Sequence, residues 1–66
     1  MKEDSKKYFC SLSKDILEVK NNNNLTDGEK KLTLKKLEDL WNFLEESNNI
    51  KISIEEVLEK FNCFEE

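Results

Sequence analysis

The chain is predicted to be all-α, a small three-helix bundle with a long central helix, and three features of its 66 residues carry that prediction. Apolar residues recur at helical spacing in three separate segments. Two asparagine clusters, at residues 21–24 and 48–49, divide those segments. Two S/T-x-x-E capping signatures, Thr26 to Glu29 and Ser53 to Glu56, stand at the starts of the second and third. The chain has no proline and a single glycine, Gly28. Asparagine, which tolerates the left-handed conformation and bonds its own backbone, therefore has to make the turns. One domain spanning 1–66 is expected, with helices at about 5–20, 27–47 and 54–63 and turns at 21–25 and 48–52. A helical hairpin with a mobile third helix is the fallback. Residues 1–4 and 65–66 are expected to fray.

In the first segment Tyr8, Phe9, Leu12, Ile16 and Val19 share an arc of about 100°, opposite Lys7, Ser11, Lys14, Asp15 and Glu18. Cys10 and Leu17 form a narrower strip on the flank of that arc, and Cys10 reads as a buried apolar thiol. In the second segment Leu34, Leu37, Trp41 and Leu44 make one stripe and Leu32, Leu40 and Phe43 a neighbouring one, which together cover close to 200° of the helix. That width assigns one stripe to each of the other helices. If only one is covered, the other is left as a binding face or a homodimer seam. In the third segment Ile54, Val57, Leu58, Phe61 and Phe64 occupy an arc of about 120°. Ile52 stands where it can staple onto Val57, and residues 50–52 read as a buried connector. Continuing the helix to 63 places Cys63 opposite the arc, exposed and poorly placed to reach Cys10; a disulfide stays open in principle, but without a secretory signal two reduced thiols are expected.

Composition removes whole classes of chemistry. The absence of histidine takes away the common neutral-pH general base and the commonest metal ligand. The two cysteines, 53 positions apart, match no zinc spacing. Apolar runs such as Tyr8-Phe9 and Val57-Leu58 are far too short for a membrane span or the apolar core of a signal peptide, so a cytoplasmic protein without membrane attachment is expected. Residues 23–34 can be laid over a calcium-binding loop, but Leu25 and Leu34 fall where oxygen ligands are needed. Asn24-Leu25-Thr26 matches a glycosylation sequon without the secretory context that would use it. The segment 52–61 resembles the first helix of a helix-turn-helix but is followed by Phe64-Glu65-Glu66 instead of a basic recognition helix. No enzyme activity, cofactor or metal is expected.

Charge is the remaining signal. Lys and Arg number 11 against 15 Asp and Glu, a net charge of −4. Residues 1–37 hold nine lysines against six acids, a balance of +3, and residues 38–66 hold two lysines against nine acids, a balance of −7. The leading functional expectation is a non-enzymatic regulator: a small acidic helical protein that occupies a basic surface of a larger partner, a nucleic-acid-binding protein being one such partner, as inhibitor or adaptor. Phage or mobile-element coding fits such small acidic chains. Glu55, Glu56 and Glu59 are the expected steering residues and Trp41 and Phe43 the anchors, with Glu45 and Glu46 completing the expected partner-binding set. The alternatives are a self-associating helical subunit joined through the second-helix stripe, and a DNA-binding module using Lys30, Lys31, Lys35 and Lys36.

Overall fold

The structure, a computed structural model, describes residues 2–64 and contains three helices: α1 (Glu3–Asn21), α2 (Asp27–Asn48) and α3 (Ile54–Lys60). Residues 3 and 4, expected to fray, are the first turn of α1, where their carboxylates meet the positive end of the helix dipole. Residues 65–66 lie outside the described residues.

The start of α2 follows the capping logic. The Thr26 hydroxyl accepts from the Glu29 backbone N–H at 3.2 Å, and the Glu29 carboxylate accepts from the Thr26 backbone N–H at 3.1 Å. The carboxyl of Glu29 is accordingly held below its ordinary value by the hydrogen bond from the Thr26 backbone N–H and, second, by the Thr26 side chain. At α3 only half of the expected box forms: Ser53 Oγ accepts from the Glu56 backbone N–H at 3.2 Å, while the Glu56 carboxylate meets the Ser53 hydroxyl instead of its backbone. Asparagine makes the turns in two ways. Asn22 is extended, and its side-chain oxygen accepts from the Asn24 backbone N–H at 2.8 Å. Asn49 takes the left-handed conformation, φ 52°, and its N–H returns to the Glu45 and Glu46 carbonyls to close α2.

The third helix corrects the expectation of a helix to 63. It ends at Lys60, because Asn62 adopts φ 54° and turns the chain back. Helical extrapolation had pointed Cys63 outward. The left-handed residue instead swings it inward, where it is 8% exposed and forms a disulfide with Cys10, with Cα atoms 5.2 Å apart. The expectation of two reduced thiols poorly placed to reach each other is thereby overturned. The same reversal takes Phe64 out of the expected apolar arc, leaving it exposed under the Lys14 ammonium, 5.2 Å from the ring centroid.

Both other helices pack on α1, although α2 is the longest. The backbones of α2 and α3 stay apart, and α2 approaches α3 only through its core stripe, where Leu34 and Trp41 line a recess with Ile54. The α1 surface explains this: Phe9, Ser13 and Ile16 form its buried seam, and Cys10 beside Phe9 faces the side taken by the C-terminal turn. The buried Ser13 hydroxyl is satisfied by donating to the Phe9 carbonyl at 2.8 Å. Across from the seam lies Trp41, whose ring meets Phe9 edge-on at 4.9 Å between centroids; Val57 and Cys63 complete the core. The connector behaves as expected, with Ile50 and Ile52 half-buried against the core and Lys51 exposed. Its Ile52 carbonyl accepts the Trp41 indole N–H at 3.2 Å, and its Ile52 N–H donates to the Glu45 carboxylate at 3.1 Å. One side of the α1/α2 pair is thus covered by the connector. The Cα envelope measures 36 × 26 × 16 Å, and its radius of gyration, 12.3 Å, exceeds the about 11 Å of a compact chain of this length.

Candidate protein-binding face

Helices α1 and α2 run antiparallel, so the start of α1 lies beside the end of α2. On the side away from the connector, Tyr8, Ser11 and Leu12 of α1 and Leu40, Phe43 and Leu44 of α2 line an open groove that is almost wholly apolar. Phe43 is 65% exposed, Tyr8 62% and Leu40 52%. Leu32, on the same stripe two turns before Leu40, is also exposed. Contiguous large apolar side chains left in water on a small protein mark an interaction surface. Their position follows from the helical repeat: residues 41 and 43 are 200° apart on a helix, so seating Trp41 in the core turns Phe43 outward.

The seven residues expected to bind a partner do not form one site. Trp41 is core, 8% exposed, with its one polar group satisfied, and cannot serve as an anchor while the fold is closed. Phe43 alone of the aromatic pair is available. Glu45 is half-buried and engaged with the Ile52 N–H, which makes it a brace for the connector. Glu46 is exposed and lines a recess with Asn42, Ile50 and Lys51 on the connector side, outside the groove lining. Glu55, Glu56 and Glu59 are exposed on α3, which contributes nothing to the groove lining. Glu56 is further committed to Ser53 and to an ion pair with Lys60 at 3.6 Å. Among the described residues the other ion pair, Lys6 with Glu3, is also local, so the lysine-rich and acid-rich halves do not neutralise each other through direct pairs.

Two groove residues, Tyr8 and Leu12, were expected to belong to the buried arc of α1. Tyr8 lies at the edge of that arc, about 100° from Phe9, and the edge is where an apolar stripe passes from core to surface. That marginal position was its only signal in the sequence. Leu40 and Phe43 carried a stronger one, since they stand on the second stripe of α2, which becomes a binding face if only one stripe is covered. Among the described residues no three Cys, Asp or Glu side chains gather into a group able to hold a metal ion. No helix of the structure is long and apolar enough to cross a membrane. No family model, curated protein or solved structure matches the chain.

Proposed function

We propose that this protein is a non-enzymatic binding module that acts by seating the α1/α2 groove on a larger protein, as an inhibitor or adaptor. The observation that carries the reading is the exposure of Tyr8, Leu40 and Phe43 along one groove while six residues, Ser13 among them, suffice for the buried core. Aromatic side chains such as Tyr8 and Phe43 are enriched at protein interfaces relative to the rest of the surface. The acidic surface of α3 lies beyond the groove, where charge contributes to encounter rate more than to final affinity.

A photo-crosslinking residue placed at position 43, with Lys31 as an exposed control position, tests the reading in the cells that make the protein. A discrete protein adduct from 43 and none from 31 is expected; adducts of equal yield from both, or none from 43, would contradict it. With the partner in hand, changing Glu55, Glu56 and Glu59 to lysine is expected to slow association several-fold at low salt and little at high salt. An unchanged association rate would remove α3 from the steering role.

The expected cytoplasmic setting now carries a consequence. Cytoplasmic thiols are kept reduced, whereas the folded chain brings Cys10 and Cys63 within bonding geometry. A reduced chain keeps the groove, which neither cysteine lines, and loses the tether on its C-terminal turn. Self-association through the exposed Leu32, Leu40 and Phe43 stripe is the second reading, and it predicts a species of twice the 7.9 kDa chain mass.

A further inference from the structure

We infer that the Cys10–Cys63 disulfide is a redox latch: a thiol that attacks the Cys10 sulfur frees residues 53–64, α3 with its C-terminal turn, from an α1/α2 pair that stays folded. Neither sulfur lines the groove, so the latch works apart from the binding face.

The fold divides at Ser53. Just before it, the connector is pinned to α2 by two hydrogen bonds, from the Trp41 indole N–H to the Ile52 carbonyl at 3.2 Å and from the Ile52 N–H to the Glu45 carboxylate at 3.1 Å. Beyond it, every hydrogen bond and ion pair of 53–64 among the described residues stays inside the segment, apart from the Cys10 sulfur lying 4.0 Å from the Phe61 carbonyl. The segment is held on α1 by the fully buried Val57, by Phe61, whose ring centroid is 6.2 Å from that of Phe9, by the Lys14 ammonium over Phe64, and by the disulfide. A helix of seven residues does not persist in water without such support. The α1/α2 pair keeps contacts of its own when the segment leaves: Phe9 edge-on against Trp41 at 4.9 Å, and the pinned connector.

The latch is within reach of a reductant. An open recess runs to the bond, lined by Cys10, Asn62 and Cys63, and Cys10 is half-buried where Cys63 is 8% exposed. A thiolate attacking the Cys10 sulfur forms a mixed disulfide there and expels Cys63 as a thiolate, which takes up a proton. A second thiol then attacks the sulfur of the first and expels Cys10 in the same way, and the two reductant molecules leave joined as a disulfide. Two electrons and two protons thus pass from the thiols to the protein. Opening uncovers Val57 and the Phe9 side of α1, an apolar surface that the oxidised chain hides.

The test uses the whole oxidised protein. After brief treatment with glutathione and an acid quench, peptide mapping by mass is expected to find the glutathione adduct on Cys10 in about tenfold excess over Cys63. In excess dithiothreitol, NMR is expected to show the amide shifts of Val57 to Phe61 losing their helical character, while those of α1 and α2 keep it and the Trp41 indole N–H stays away from its position in urea. Reoxidation restores α3, and Cys63→Ser reproduces the reduced spectrum without reductant. Loss of helix throughout the reduced chain would make the disulfide a staple for the whole fold, and an unmoved α3 would make it a bond without consequence. Either result overturns the latch, as does an adduct chiefly on Cys63.

Discussion

Trp41 and Phe43 show how a two-residue step on a helix separates two roles. Both are large aromatics on α2, yet one meets Phe9 at 4.9 Å and the other is 65% exposed. The indole also carries a polar group that burial would penalise unless it were bonded, and the Ile52 carbonyl bonds it. Trp41→Phe keeps most of the apolar volume but leaves that carbonyl without its donor. It is expected to cost about 1–2 kcal/mol, read from urea unfolding. Glu29 gives a second residue-scale prediction. Its carboxyl is depressed in the folded chain by the Thr26 hydrogen bonds, so its contribution is present above the unfolded value of 4.5 and is lost as pH falls from there through the lower folded value. Glu29→Gln removes this one titration. Its stability curve is expected to fall less steeply than that of the parent chain below pH 4.5, and parallel curves would refute the linkage.

At the scale of the element, the capped starts of α2 and α3 were legible, while the uncapped start of α1 and the end of α3 were not. A start is signalled by a side chain that must accept a backbone N–H, and Thr26 and Ser53 announced theirs within a few residues. The end of α3 depends on one residue adopting φ 54°, and Asn62 has no asparagine neighbour to flag it, unlike the clusters at 21–24 and 48–49. The apolar pattern then favoured continuing the helix through Phe61 to Phe64. That single misplacement turned Cys63 the wrong way and hid the disulfide. The left-handed conformation has a measurable cost for a side chain with a β-carbon. Asn62→Gly is expected to leave stability unchanged or slightly raised, whereas Asn62→Ala lowers it by about 1 kcal/mol. Equal effects of glycine and alanine would show that the strained residue does not set the turn.

For the whole molecule, the three-helix class was legible because it follows from local periodicity and capping, while the packing order was not. Periodicity says how wide an apolar stripe is, and α2 has the wider one; which partner covers it is decided by where the connector and the C-terminal turn run. Here both α2 and α3 settle on α1, the second stripe of α2 stays open, and the groove appears in its place. A core of so few buried side chains gives the disulfide weight. It joins residues 53 apart and ties the short α3 and its turn to α1. Opening it, with reductant or with Cys63→Ser, is expected to remove about 2–4 kcal/mol, enough to lower Tm by more than about 10 °C in a domain of this size.

The division of α2 into a core stripe and an open binding stripe is tested most directly by urea unfolding of Trp41→Ala beside Phe43→Glu, each against the parent chain. Loss of the Trp41 side chain should cost about 3–5 kcal/mol, and the charge at position 43 should change stability by no more than about 0.5 kcal/mol. Comparable large losses from both would place Phe43 in the core and close the face on which the proposed function depends.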